Sequence, residues 1–158
     1  MAKKKKQRPP VPGAQVISTN RRARHDYEIT STYEAGLVLR GTEVKSLRDG
    51  RVTLGEGFIV IKDGEAWLMG VHIPEYTHGN RFNHEPRRPR KLLLRSLEIE
   101  RIARKLEEQG YTGVPMVLYF KGGWVKLEFG LGKGKKHYDK RQAERQKIDH
   151  REMREDRY

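Results

Sequence analysis

The sequence contains no cysteine, which excludes disulfide bonds and thiolate metal sites and is compatible with a reducing, intracellular setting. No apolar run approaches the roughly 20 residues that a membrane-spanning helix needs. The N-terminal stretch "MAKKKKQRPPVPG" is basic, but no apolar segment follows it, so it lacks the pattern of a secretory signal. These absences predict a cytoplasmic protein with no membrane partner.

Recognisable catalytic motifs are also missing. The stretch "GLGKGKK" lacks the spacing and the hydroxyl residue of a phosphate-binding loop, and no Ser-His-Asp or paired-carboxylate signature is present. His72, His78 and His84 are six residues apart, but without cysteine or suitably spaced carboxylates they indicate loop histidines more than a metal site. We therefore expect no enzyme activity, no cofactor and no bound metal.

Positive charge is what the sequence has in excess, and its distribution is uneven. The 158 residues carry 34 Lys and Arg against 21 Asp and Glu, a formal net charge of +13. Residues 1–24 hold eight basic and no acidic side chains, and residues 130–158 hold ten basic and six acidic ones. A nearly neutral body between two basic arms indicates a polyanionic partner, with nucleic acid the leading candidate.

Apolar alternation and turn signals predict a mainly β fold. Two apolar runs flank Asp63–Gly64, a strong hairpin signal, and a second hairpin is centred on Gly122–Gly123. The stretch from His25 to Gly50 is rich in Tyr, Ile, Thr and Val, which are typical of strands. Because many short strands leave exposed edges, we expect a small OB-like β-barrel, closed or partly open.

One main helix and one long loop interrupt the strands. In "RSLEIERIARKLEEQG" the apolar residues recur at helical spacing on one face. Residues 76–94 contain two prolines and an excess of positive charge, and we predict a surface loop leading into a short apolar run.

The chain is expected to have three parts. Residues 1–15 form a disordered basic leader, residues 16–132 the OB-like barrel and residues 133–158 a basic tail. Written as a helix, the tail has no apolar stripe and contains like-charged pairs four residues apart. It should therefore be disordered alone and able to fold against a charged partner.

Two stretches have the composition of RNA-binding segments. "NRRARHDY", residues 20–27, combines three arginines with an amide, an imidazole and a phenol, groups that bind phosphates, stack on bases or contact their edges. "KGKKHYDKR", residues 133–141, combines basic side chains with glycine and two flat rings. Each could be a solvated arm, but the mixture of planar and fork-shaped groups favours RNA.

Several blocks of the sequence resemble a known family. "NRRARHDYEI", "YEAGLVLRGTEVKSLRDGRV", "DGEAWLMGVHI", "RPRKLLL" and "KGKKHYDKR" occur in the order and spacing of the small protein B family, the SsrA-binding proteins. The resemblance covers about residues 16–145. It implies an OB-like barrel that binds the tRNA-like domain of transfer-messenger RNA and catalyses no bond change.

The resemblance also implies a role on stalled ribosomes, in trans-translation. The charged RNA, together with elongation factor Tu, enters a ribosome that has no codon in its A site. The basic tail then folds as a helix in the empty messenger channel of the small subunit, near the decoding centre. A generic OB-type binder of single-stranded nucleic acid, or a ribosomal protein, is the alternative function.

The same resemblance implies which residues contact the two partners. Family positions that bind the tRNA-like domain correspond to Asn20, Glu34 and Leu93. Basic residues that flank them are expected on the same RNA face: Arg22, Arg24, His25 and Lys91. The basic run and "DKR" signature of the family's tail correspond to the expected ribosome-binding residues Lys133, Gly134, Lys135, Lys136, Tyr138, Asp139, Lys140 and Arg141.

Two of these residues have alternative interpretations. Glu34 is a carboxylate on an expected RNA surface, where it could accept hydrogen bonds from base amino groups or hold a neighbouring arginine. Leu93 could stack against RNA or be a core residue, because apolar side chains are mostly buried.

Overall fold

The computed structural model describes residues 13–78 and 82–135. In these ranges the chain is mainly antiparallel β-sheet with few helices. The strands are β1 (Gln15–Thr19), β2 (Tyr27–Leu37), β3 (Phe58–Lys62), β4 (Glu65–Met69), β5 (Arg90–Leu93), β6 (Tyr111–Lys121) and β7 (Trp124–Gly134). The helices are α1 (Ala23–Asp26), α2 (Gly41–Arg48) and α3 (Ser96–Glu107). None of the helices within these ranges is long and apolar enough to cross a membrane.

The sheet curls so that strands far apart in its order also meet. The hydrogen-bonded order is β1-β6-β3-β4-β5-β2-β7, and β6 pairs in addition with β7. The β6–β7 and β2–β7 ladders are long, whereas β3 meets β6 only where Ile59 pairs with Gly113. A Cβ atom at Gly113 would lie 2.5 Å from the Cβ of Ile59, so the approach of the two strands needs glycine.

Both predicted hairpins are confirmed. Asp63 and Gly64, between β3 and β4, have φ angles of 52° and 74°, and Gly122 and Gly123, between β6 and β7, have φ angles of 56° and 80°. Two successive positive φ angles suit a two-residue turn whose twist matches that of the flanking strands. The turn residues therefore determine the register of these two strand pairs.

The main core lies on the inner face of the curled sheet. Alternate strand residues fill it, including Leu68, Leu92, Leu127 and Phe129, and α3 adds the fully buried Ile102. Full burial of one such apolar side chain contributes about 1.5–3 kcal/mol to the free energy of unfolding. The predicted main helix is thus present, with its apolar face on the sheet.

Helix α2 lies within the stretch from His25 to Gly50 that was predicted to form strands, so that prediction is wrong over Gly41–Arg48. The sequence "GTEVKSLR" has only two apolar residues and no extended stripe, so it carries no helical signal. The helix is stabilised by the burial of Leu47 in the main core and by the contacts of Glu43, which is fully buried. The Glu43 carboxylate accepts hydrogen bonds from the Arg40 backbone N–H at 2.9 Å, from Arg90 Nε at 2.7 Å and from Arg88. These bonds fix the start of α2 against the segment that leads into β5.

The segment 76–94 differs from the predicted surface loop, because two of its polar residues are buried in the body. Arg90 donates hydrogen bonds to the carbonyl oxygens of Val71 and Pro86 at 2.6 and 2.9 Å. The His84 ring nitrogens lie 2.8 Å from Thr42 Oγ1 and 2.8 Å from the Ile73 carbonyl oxygen. Buried polar groups with such partners anchor the segment.

The histidine spacing also has a structural explanation at one position. His84 lies in a loop, as predicted, but it is buried and has two hydrogen-bond partners, so its role there is structural. Within residues 13–78 and 82–135, no group of three or more His, Cys, Asp or Glu could hold a metal ion.

The boundaries at the two ends differ slightly from those expected. Strand β7 continues through Gly134, so the expected end of the barrel at residue 132 lies inside a strand. Lys133 pairs there with Glu28 of β2 and with Tyr111 of β6. Strand β1 begins at Gln15, one residue inside the expected leader. Residues 1–12 and 136–158 lie outside the described ranges, and the predictions about them stay predictions.

Candidate nucleic-acid interface

Asn20 lies in the short connection between β1 and α1, and it links this connection to β6. Its Nδ2 donates a hydrogen bond to the Pro115 carbonyl oxygen at 2.9 Å, and its backbone N–H donates to that of Met116 at 2.7 Å. Its own carbonyl oxygen accepts from the Ala23 N–H at 3.2 Å. The amide donor is therefore engaged within the protein, so Asn20 sets the position of the segment that follows.

That segment exposes a group of basic side chains around α1. Arg21, Arg22, Arg24 and His25 are exposed, whereas Ala23 is buried in a small apolar cluster with residues of β6. The His25 Nδ1 lies 2.9 Å from a carboxylate oxygen of Asp26. Burial of the single small residue directs its longer neighbours outward. Exposed guanidinium groups can bind phosphate oxygens in pairs.

The start of the tail lies against this arginine segment. The Lys135 backbone N–H donates to the Asp26 carbonyl oxygen at 2.7 Å, and its Nζ donates to the Arg24 carbonyl oxygen at 2.5 Å. The Lys133 ammonium lies 5.1 Å from the ring centroid of Tyr111. We call residues 20–25 together with residues 133–135 the arm patch.

The predicted tail residues thus fall into two groups. Lys133, Gly134 and Lys135 belong to the folded body, where they extend β7 and contact the segment after α1. The others lie outside the described residues: Lys136, Tyr138, Asp139, Lys140 and Arg141.

Three further predicted residues line a single cleft. Glu34, Lys91 and Leu93 surround a space of about 780 Å³ between β2, β5 and the first turn of α3. Leu93 is 54% exposed, whereas its neighbour Leu92 is 1% exposed. Successive residues of a strand point to opposite faces, so β5 directs Leu92 into the core and Leu93 to the surface. The core interpretation of Leu93 is therefore wrong.

Among residues 13–78 and 82–135, the carboxylate of Glu34 has two partners, and neither is an arginine. The Tyr119 hydroxyl donates a hydrogen bond to it, and Lys121 Nζ lies 3.9 Å from its other oxygen. Burial, and then the hydrogen bond to Glu34, raise the pKa of Tyr119, so the phenol keeps its proton and remains a donor. This arrangement favours Glu34 as an oriented acceptor over Glu34 as a partner of arginine.

Strand β2 connects the arm patch to the cleft. It begins at Tyr27, directly after α1, and reaches Glu34 seven residues later. At about 3.3 Å per residue, the two positions are roughly 23 Å apart. Glu28, Thr30 and Thr32, which are exposed, lie on β2 between them. The predicted RNA-binding residues therefore form two patches on one strand-linked surface.

Sequence reasoning missed one residue that holds Glu34 and one that lines the cleft. Tyr119 lies in the apolar run "PMVLYF" and is 1% exposed, and nothing in that pattern marks it as the partner of a carboxylate 85 positions earlier. Lys126, which lines the cleft, had a usable signal. It alternates with the buried Val125 and Leu127, so it had to lie on the outer face of β7.

Comparisons with known proteins agree on one family. A family model described as "SmpB protein" matches residues 17–157. The SsrA-binding protein of Acidothermus cellulolyticus is 57% identical over 141 residues, which cover 89% of each chain. The SsrA-binding protein of Thermobifida fusca is 57% identical over 153 residues, which cover 97% of this chain and 95% of that protein.

A solved structure also matches. It is described as "tmRNA-SmpB: a journey to the center of the bacterial ribosome" and superposes with a TM-score of 0.66 at 50% identity. The match covers 78% of this chain and 87% of that chain. The resemblance stated from the sequence blocks is thereby confirmed. The chain shares its fold with this solved structure, and it belongs to the SmpB family.

Proposed function

We propose that this chain binds the tRNA-like domain of transfer-messenger RNA and brings it to stalled ribosomes for trans-translation. Elongation factor Tu takes part indirectly, through the charged RNA. The tail enters the empty messenger channel near the decoding centre, in the cytoplasm. The protein acts by binding and by positioning RNA, and it needs no cofactor.

The observation that carries this proposal is the grouping of the residues that the resemblance assigns to RNA binding. Glu34 and Leu93 are far apart in sequence yet line one cleft, and Lys91 lines it with them. Asn20 holds the arm patch at the beginning of the same strand that contains Glu34. A folded RNA can contact both patches, whereas a short single strand needs only one groove.

The proposed architecture is an OB-like, partly open barrel. The sheet order supports this architecture, because β7 at one end of the order pairs again with β6, which lies near the other end. The single-pair contact between β3 and β6 favours the partly open form. The body then ends at Lys135, and the tail that reaches the ribosome begins after it.

Competition between two RNAs tests the proposed function. Over a salt series, the wild-type protein should prefer a transcribed tRNA-like domain over poly-U by more than about tenfold, or ~1.4 kcal/mol. Leu93→Ala and Asn20→Ala should reduce that preference. Arg48→Ala is the matched control, because it removes one exposed charge from α2, away from both patches. If both RNAs bind alike and every loss follows the number of charges removed, the protein is a charge-driven binder and the proposal is wrong.

Tyr119→Phe is expected to weaken binding of the tRNA-like RNA about three- to tenfold while the fold persists. The substitution removes only the hydroxyl that holds Glu34, and one such hydrogen bond contributes about 0.5–1.5 kcal/mol. Affinity is measured by titration and folding by thermal unfolding.

A double-mutant cycle separates this positioning effect from a general loss of stability. In a Glu34→Ala background the hydroxyl has no carboxylate to orient, so Tyr119→Phe should cost little further affinity. Equal losses in both backgrounds would mean that Tyr119 acts independently of Glu34.

A further inference from the structure

A second groove lies on the outer surface of the β3–β4 hairpin. It has a volume of about 570 Å³. Its lining includes the apolar side chains of Val60, Trp67 and Met69, together with Pro89, Arg88 and the acidic Asp63. The sequence analysis assigned no function to these residues.

The groove exists because alternate residues of both strands face outward. Ile59 and Leu68 are buried in the core, whereas Val60, Trp67 and Met69 are only partly covered. Val60 pairs directly with Trp67 across the hairpin, so an aliphatic and an aromatic side chain lie next to each other on the outer face. An outer sheet face with apolar and aromatic residues in a concave site is typical of a binding surface.

This groove adjoins the cleft that contains Leu93. Glu65 lines both spaces, and it forms an ion pair of 3.0 Å with Lys91, which lines the cleft. Lys91 also pairs with Trp67 across the β4–β5 ladder. An occupant of the cleft is therefore next to the groove, separated from it by a single partly exposed ion pair.

We propose that the groove binds an unpaired base of the same RNA that occupies the cleft, with the Trp67 indole as its stacking surface. This inference rests on the proposed function and extends the interface beyond the family positions identified above. Single-stranded bases are commonly held by stacking on aromatic side chains. Lys62 at the groove and Lys91 at its border supply phosphate contacts. A partly exposed ion pair contributes little, so Lys91 exchanges Glu65 for phosphate at small cost.

The two tryptophans of the chain allow a direct spectroscopic test. Trp124 is 75% exposed, next to the β6–β7 turn, and Trp124→Phe leaves Trp67 as the only indole. Saturation of this variant with the tRNA-like domain should quench Trp67 fluorescence and protect it from iodide. A duplex RNA without unpaired bases, added at the same concentration, should leave the fluorescence nearly unchanged.

Affinity measurements test the energetic contribution of the indole. Trp67→Leu should bind the tRNA-like domain about tenfold more weakly, and Trp67→Phe, which keeps a flat ring, should retain most of the affinity. Trp124→Leu is the matched control and should bind like the wild type. Thermal unfolding checks the fold of each variant, and the fluorescence test stands even where Trp67→Leu is destabilised.

The outcomes distinguish this inference from the proposed function. If the wild type prefers the tRNA-like domain but Trp67 is neither quenched nor protected, the groove does not bind a base and only this inference is overturned. The same holds if ribosomes without the RNA protect Trp67, because the occupant is then a ribosomal component. If the wild type shows no preference for the tRNA-like domain, both proposals are overturned.

Discussion

Replacing Glu43 by glutamine is expected to lower the free energy of unfolding by about 3–5 kcal/mol. The carboxylate is fully buried and is the shared acceptor of the Arg40 backbone N–H, Arg88 and Arg90. Arg90 is itself fully buried, and removal of the acidic partner leaves its charge without compensation. Since domains of this size are stable by about 5–15 kcal/mol, the loss should be visible as a large fall in the denaturant midpoint.

The control for this prediction is Glu107→Gln, which makes the same chemical change at an exposed position of α3. It should change the stability by less than about 0.5 kcal/mol. If Glu43→Gln and Glu107→Gln have equal effects, the buried network contributes nothing to the fold. Replacing Arg90 by methionine tests the other partner, because it leaves the Val71 and Pro86 carbonyl oxygens without their donor.

The same network predicts part of the acid sensitivity of the protein. Burial by itself raises the pKa of Glu43, but the hydrogen bonds from Arg88, the Arg40 backbone and Arg90, together with the Arg90 charge, outweigh it and lower the pKa below 4.5. A lowered carboxyl pKa gives stability that is fully present above the unfolded value and is lost as the pH falls through the folded value. We therefore expect the free energy of unfolding of the wild type to decrease as the pH is lowered below about 4.5. The part of this decrease that comes from Glu43 should be absent from Glu43→Gln.

The second large effect is expected from C-terminal truncation, and it depends on the residue at which the chain ends. A chain ending after Lys135 should bind the tRNA-like RNA nearly as well as the full chain, yet fail to support tagging of nascent peptides on stalled ribosomes. It keeps all of β7 and the contacts of Lys135 with residues 24 and 26. It lacks the residues proposed to enter the messenger channel.

A chain ending after Gly132 should lose RNA affinity as well. This cut removes the pairing of Lys133 with Glu28 and of Gly134 with Tyr27, and with them the two hydrogen bonds of Lys135. At about 0.5–1.5 kcal/mol per hydrogen bond, residues 24–26 would be held less firmly, while Asn20 and Ala23 still attach the segment to β6. RNA titration and a tagging assay on stalled ribosomes measure the two functions separately.

The pair of truncations also defines what would contradict the proposal. If the chain ending after Lys135 loses most of its affinity for the tRNA-like RNA, the tail is part of the primary RNA site. The proposal that the body binds this RNA while the tail acts on the ribosome is then wrong. If the chain ending after Gly132 binds the tRNA-like RNA as well as the chain ending after Lys135, the contacts of Lys135 with residues 24 and 26 do not contribute to RNA binding.

Local signals in the sequence were sufficient for several elements. Both hairpins followed from pairs of residues that tolerate positive φ, and α3 followed from an apolar stripe with Ile102 at its centre. The basic segment 20–27 was identified from composition alone. Such features depend on neighbours within a few positions, and their physical causes are therefore visible in a single stretch of chain.

Other features depend on residues far apart in the chain. Helix α2 has little apolar periodicity of its own and depends on Glu43, whose partners lie 45 and 47 positions later. The burial of Arg90 and His84 in a segment that looked like a surface loop depends on carbonyl oxygens and a hydroxyl supplied by other segments. Burial of a charged group is unfavourable without such partners, and no local pattern shows where they will be.

The sequence by itself determined the charge distribution, the turns, the main helix and the family. Only the tertiary structure decided which side of β5 Leu93 faces, that Tyr119 orients Glu34, and that Lys135 contacts the arginine segment around α1. The first group of properties arises from composition and short-range conformational preference. The second arises from hydrogen bonds and packing between strands distant in sequence, which exist only once the sheet has curled.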